Sequence, residues 1–132
     1  MARVVLDSSA WIYLERVQGP LPGFTENDQP IMAPAALAEL LVAGQLSTRS
    51  VAARNATLKF VKDAMQIAQF LPIDELTSEI FADLKAFSRE QGRPRGVNDL
   101  WIAATAIRAD AELLTLDKGA YFEDLPRLIL RR

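Results

Sequence analysis

The sequence predicts an α/β fold in which a parallel sheet lies between layers of helices. Three observations carry this. Short apolar runs alternate along the chain with longer segments of helical periodicity. The short runs are apolar at consecutive positions, as in strands buried on both faces. With 132 residues, 50% of them hydrophobic, the chain is long enough for one domain with its own core, expected to span residues 1–132.

Val4-Val5-Leu6 is the first such run and ends at Asp7. Ser8 and Ser9 offer caps for a helix over 10–17. Residues 18–30 contain Gly19, Pro20, Pro22, Gly23 and Pro30 and read as a loop. Ile31-Met32-Ala33 is a second strand, and Pro34 suits the first turn of a helix running to Gln45. Val51, Leu58, Val61, Met65 and Ala68 space a long helix over 48–68. Phe70-Leu71-Pro72-Ile73 is a third strand, which its proline marks as an edge or an end. Ile80, Leu84 and Phe87 form the stripe of a helix over 76–91, and Gly92-Arg93-Pro94-Arg95-Gly96 breaks the chain. Asn98 then caps a helix through Ala109. Leu113-Leu114-Thr115-Leu116 is a fourth strand ending at Asp117, and Leu128-Ile129-Leu130 is the candidate fifth.

The chain has no His and no Cys. This excludes a Ser-His-Asp triad, a His-ligated zinc, a thiolate nucleophile, a disulfide framework and an iron–sulfur cluster. Any catalysis falls to carboxylates, hydroxyls, Lys and Arg, and a carboxylate site prefers hard cations such as Mg²⁺ or Mn²⁺. The apolar stretch 31–44 is interrupted by Glu39 and is too short to span a bilayer. The N-terminus reaches Asp7 after three apolar residues, unlike a signal peptide. The expectation is a soluble cytoplasmic protein.

Four carboxylates stand out. In an open parallel sheet ligands bind at the carboxyl ends of the strands, so Asp7 and Asp117 are expected on one rim. Each also fits a blander role, Asp7 as a helix cap and Asp117-Lys118-Gly119 as a turn. Glu39 is the lone charge in helix 34–45, with Ala35, Ala36, Val42 and Ala43 as its helical neighbours. A helix apolar all round is normally buried, and a buried carboxylate needs a cation or an Arg beside it. Asp99 starts a second helix without a polar face, although an acid there is also ordinary capping chemistry. Converging carboxylates repel, and a divalent cation removes the repulsion. With these four set aside, 13 acids face 15 bases, so the net charge of −2 does not exclude an anionic substrate.

Val5-Leu6-Asp7-Ser8-Ser9, Ala38-Glu39-Leu40, the run from Gly96-Val97-Asn98-Asp99-Leu100-Trp101 to Ala106, and Leu114-Thr115-Leu116-Asp117 occur in this order. In order and spacing the chain resembles the PIN-domain family, in particular the VapC-type toxins of bacterial toxin–antitoxin pairs. The resemblance implies a PIN-like three-layer α/β fold, with a mostly parallel five-stranded sheet and helices on both faces. It implies a Mg²⁺- or Mn²⁺-dependent endoribonuclease that hydrolyses RNA phosphodiester bonds, a homodimer, and a cognate VapB-type antitoxin. Carried over by position, Asp7, Glu39, Asp99 and Asp117 form the catalytic and metal site, with Asp7 and Asp99 central. Ser8 or Ser9 would hold a water or a carboxylate, and Asn98 and Thr115 would be secondary site positions. Lys118-Gly119 departs from the family, whose members often carry a further acid or a Phe soon after the last Asp.

Arg93 and Arg95, just before Asn98-Asp99, are candidate RNA phosphate contacts, against the plainer reading of an exposed linker. Arg49, Arg54, Lys59 and Lys62 read chiefly as a solvated face, and Trp11 and Trp101 as core or partner contacts. Two other functions compete. A receiver-like Mg²⁺-binding signalling domain would want paired acids after the first strand and an acceptor Asp after the third, where the chain has Asp7-Ser8-Ser9 and Ile73-Asp74. A catalytically silent PIN module that only binds a partner would have no need of all four acids.

Overall fold

The computed structural model describes residues 2–120 and 122–131. The expected domain limits Met1 and Arg132, and Tyr121 in the loop after Asp117, lie outside the described residues. Strands β1 (Arg3–Leu6), β2 (Gln29–Met32), β3 (Gln69–Phe70) and β4 (Glu112–Leu114) form one sheet in the order β3-β2-β1-β4, all parallel. The helices are α1 (Ser8–Val17), α2 (Pro34–Gln45), α3 (Val51–Ile67), α4 (Glu75–Glu90) and α5 (Val97–Arg108). Two short 3₁₀ turns, Lys118–Ala120 and Phe122–Asp124, follow β4.

β1 is central because consecutive apolar residues demand cover on both faces. Val4, Val5 and Leu6 are fully buried, as are Ile31 and Met32 in β2 and Leu113 in β4. The register pairs Val5 with Ile31 on one side and Leu113 on the other, and Leu6 with Leu114. The Asp7 N–H continues the ladder by donating to the Leu114 carbonyl (3.2 Å). The residues that follow β1 and β4 therefore emerge side by side.

Among the described residues the five-stranded expectation is corrected to four strands. Residues 128–130 reach the sheet only at one parallel bridge, Leu113 to Leu130. The reason is geometric. Pro126 and the left-handed Arg127 (φ 70°) shape the approach; the Leu113 N–H then donates to the Ile129 carbonyl and the Arg131 N–H to the Leu113 carbonyl (both 2.9 Å), while the Arg131 side chain reaches Asp28 (2.5 Å) and Glu112 (2.9 Å). β3 is likewise shorter than expected. The Leu71 N–H still reaches Met32 (3.3 Å), but Pro72 has no N–H to continue.

Helix starts were partly misread from sequence. Asp7, not Ser8 or Ser9, caps α1, and Ser50 caps α3 three residues later than the spacing predicts. Gly96 is the N-cap of α5 and brings no side-chain bond, so the expected Asn98 cap is absent and its amide is used elsewhere. α2 matches its expected bounds. It is not buried all round, however. Ala36, Leu40 and Gly44 face inward, while Leu41 and Val42 are exposed.

Gly44 lets α2 and α3 approach closely. A Cβ there would stand 2.5 Å from a Leu58 methyl and 2.9 Å from Leu58 Cγ. Gly44→Val is expected to destabilise the fold by about 1–3 kcal/mol through overpacking, read as a lower urea midpoint with an unchanged slope.

Candidate active site

The carboxyl end of the sheet carries a buried acid as its keystone. Asp7 is 3% exposed and lies between β1 and α1. Its Oδ1 accepts from the Ala10 N–H (3.0 Å) and from Ser9 Oγ (2.6 Å), and its Oδ2 from Thr115 Oγ1. Each hydroxyl is itself fixed by the neighbouring loop. Ser9 Oγ accepts from the Leu116 N–H (3.0 Å), and Thr115 Oγ1 from the Asp117 N–H (3.0 Å). The two parallel strand ends are thus stitched together through both oxygens of one carboxylate. Burial pushes the Asp7 carboxyl up, the bonds from Ser9, Thr115 and Ala10 pull it down, and the charge of Asp117 raises it further.

Asp117 is exposed, and its Oδ1 accepts from the Gly119 N–H (2.9 Å). The unusual Lys118-Gly119 step serves this turn: a Cβ on residue 119 would stand 3.3 Å from that oxygen. Asp99 lies in the first turn of α5, half-buried, with its Oδ2 3.2 Å from where a Cβ on Gly96 would stand. Glu39, half-buried on α2, accepts from Asn98 Nδ2 (3.0 Å), so α2 and α5 are joined at the site by a hydrogen bond.

All four acids share one electrostatic neighbourhood. The Asp99 carboxyl is pushed up to about 6 by burial first, then by the charges of Asp117, Asp7 and Glu39. Among the described residues no group of three acids stands as a ready-made metal-ligand set. The donor chemistry nevertheless fits a hard divalent cation: every candidate ligand is an oxygen, and burial together with neighbouring negative charge raises the carboxyls of Asp7 and Asp99.

The secondary positions divide. Ser9, Thr115 and Asn98 each bind one of the four acids, whereas the Ser8 hydroxyl is buried without a protein partner. Arg93 and Arg95 both turn to Asp124, and the Arg95 side chain is fully enclosed (0% exposed). Arg49 bonds the Ala43 carbonyl and Thr57 Oγ1 (3.0 Å), and Lys59 pairs with Asp63 (3.0 Å). Trp11 is in the core, and Trp101 stacks on Phe81 at 3.8 Å. Asp124 and Ser88, the partners of Arg95, were not singled out from sequence, because nothing local marks a pairing across 29 residues.

Asp74, the acid a receiver domain would phosphorylate, caps α4 through Thr77 (2.8 Å) and pairs with Arg108 (2.9 Å), which holds its carboxyl well below the usual range. It lines a recess with Arg3 and Ala109, near the start of β1 rather than its Asp7 end.

A sheet of this order with these acids on one rim defines a PIN-type domain. The PIN domain family matches residues 4–128, and the chain belongs to it. Ribonuclease VapC5 of Mycobacterium tuberculosis is 34% identical over 116 residues, covering 86% of this chain and 82% of that protein. The crystal structure of the VapBC-5 toxin–antitoxin family member from the same organism superposes with TM-score 0.78, at 26% identity and full coverage of both chains. Rickettsia felis VapBC2, crystallised on a promoter DNA fragment, superposes with TM-score 0.82 at 20% identity, over 97% of this chain and 96% of that one, a likeness of fold. Within the PIN family the protein is a VapC-type toxin ribonuclease of the VapBC toxin–antitoxin class.

Replacing Asp99 tests the shared field. An acid whose carboxyl is raised from 3.8 to about 6 on folding costs stability as pH climbs through that window. In EDTA, Asp99→Asn is expected to melt above the parent at pH 8, with the gap closing below pH ~4. A gap independent of pH would show that neither burial nor the neighbouring charges raise the Asp99 carboxyl.

Proposed function

We propose that Asp7, Glu39, Asp99 and Asp117 form the catalytic site for hydrolysis of RNA phosphodiester bonds, with Mg²⁺ or Mn²⁺ as cofactor. The carrying observation is the buried Asp7, whose two oxygens are held by hydroxyls that also bind the loop bearing Asp117; burial first, and then the charges of Asp117, Asp7 and Glu39, raise the Asp99 carboxyl beside it. Asp7 and Asp99 are the central ligands, completed by Asp117 and Glu39 directly or through water. These residues would hold the cation, which when bound would supply neutralisation of the carboxylates and Lewis acidity toward a phosphoryl group.

The chain's own groups do the remaining work. Ser9 and Thr115 hold both Asp7 oxygens, fixing the plane of the carboxylate. Asn98 fixes Glu39, and the Gly119 N–H fixes Asp117. One of these carboxylates orients the attacking water, a task that needs no imidazole. Ser8, as an alternative to Ser9, and Arg93, as a phosphate contact, stay secondary in this reading. Arg95 is enclosed and serves the fold around the loop instead.

The protein partner in this proposal is a VapB-type antitoxin, in line with the VapBC complexes among the similar structures, and we assign the toxin as a homodimer. Exposed Leu41, Val42 and Leu46 at the end of α2, with Val51 opening α3, supply apolar surface for such contacts. Among the described residues no helix is long and apolar enough to cross a membrane. We assign residues 1–132 to one PIN domain acting in the cytoplasm.

Purified, antitoxin-free protein is expected to cleave total RNA with Mn²⁺ or Mg²⁺ and to stop on addition of EDTA. Asp7→Ala and Asp99→Asn are expected to remove at least ~10²-fold of the rate. Undiminished cleavage by either folded variant, or in EDTA, refutes the assignment. A folded parent that binds antitoxin but cleaves no RNA would instead favour the silent partner-binding module.

A further inference from the structure

The break between α4 and α5 contains a buried cation that the catalytic reading leaves unused. The Arg95 side chain is fully enclosed and donates through Nη1 to Ser88 Oγ (2.8 Å). Ser88 is itself buried and gives its proton to the Leu84 carbonyl (2.9 Å), so a lone pair is left to receive the guanidinium. Arg95 Nη2 stands 3.8 Å from Asp124 Oδ2 and 3.5 Å from Gln91 Oε1. Arg93 pairs with the same Asp124.

These contacts join three pieces of chain. Arg95 immediately precedes Gly96, the N-cap of α5, and Asp99 is in the first turn of that helix. Asp124 ends the second 3₁₀ turn after Asp117, a segment anchored in the core by buried Ala120, Phe122 and Leu125. Ser88 belongs to α4. One side chain thus spans from the start of α5 to the segment that follows Asp117, with α4 as its footing.

We propose that Arg95, bridging Ser88 and Asp124, is a positioning residue that sets the spacing between Asp99 and Asp117. Enclosing a guanidinium is costly, and replacing a buried ion pair by an apolar residue of like size is often neutral or stabilising. A strut that only supported stability would be poorly served by an arginine. A branched donor with fixed fork geometry suits a registry role, because it fixes direction as well as distance. The link to metal binding rests on the nuclease reading above; the registry itself does not.

The test uses Arg95→Met, which fills the same space without charge, and Asp124→Asn. Both variants are read by Mn²⁺ titration under EPR and by amide hydrogen exchange, beside their melting curves. Expected are near-parental melting for Arg95→Met, a lower melting point for Asp124→Asn, which leaves the enclosed guanidinium without its carboxylate, and in both Mn²⁺ affinity weakened about 10-fold and faster exchange together at 97–100 and 115–119. Asp124→Glu is expected to restore part of the Mn²⁺ affinity that Asp124→Asn loses. Parental Mn²⁺ affinity and parental exchange in a folded variant overturn the proposal, as does a change confined to RNA affinity. If Arg95→Met does not fold, Asp124→Asn decides. If the parent itself binds no Mn²⁺, the metal reading fails, and the exchange arm alone decides the strut: coupled loosening of both segments upholds it, and unchanged exchange overturns it.

Discussion

The structure turns on one carboxylate at the end of an interior strand whose apolar residues are fully buried. A parallel strand flanked on both sides must leave the sheet at its carboxyl end, and here it does so at Asp7. A carboxyl that is 3% exposed is tolerated only if its oxygens are well bonded. Both are, by hydroxyls that also receive backbone N–H groups from the loop after β4. The bonds that make burial bearable are therefore the bonds that bring the 115–117 loop alongside. Fold and site share a single set of contacts, so the loop carrying Asp117 has little freedom to move away.

Around that centre, charge is distributed in two regimes. Away from the rim, several acids are held in ion pairs. Arg131 holds Asp28 down to about 2 and also reaches Glu112, and Arg108 holds Asp74. These pairs tie loops and helix ends rather than prepare chemistry. At the rim the carboxyls are instead raised, Asp7 mainly by burial and Asp99 by burial and its neighbours, with no arginine among the causes. Perturbation in the direction of mutual repulsion distinguishes a site awaiting a counter-charge from a structural ion pair. That contrast also disposes of Asp74 as a phospho-acceptor, since a capped and ion-paired acid is already spent.

Much of this was legible in the sequence, and the physics explains where it stopped. Strands apolar at successive positions have one solution, a sheet covered on both faces, and the parallel sheet then sends Asp7 and Asp117 to one rim. Glu39 was conspicuous because its helix offers no other charge. The errors fall where a long-range contact outbids a local preference. Asn98 is a good cap by propensity, yet its amide bonds Glu39 and a glycine opens the helix. Residues 128–130 have strand character but touch β4 at one bridge, which the chain enters through Pro126 and the left-handed Arg127. α2 looked buried all round and keeps an exposed apolar edge.

Arg95 marks the boundary most sharply. In the sequence it belongs to a Gly/Pro-flanked basic loop, which composition alone assigns to solvent or phosphate. Only folding brings Ser88 and Asp124 to it and closes the space around it. By itself the sequence determined the layers, the parallel sheet, the four acids and the absence of any imidazole or thiol alternative, because these follow from residue type and periodicity along the chain. The tertiary structure decided which hydroxyl serves Asp7, which amide holds Glu39 and which cations are enclosed. Those outcomes depend on residues far apart in sequence competing for the same hydrogen bond, a contest that local propensity does not record.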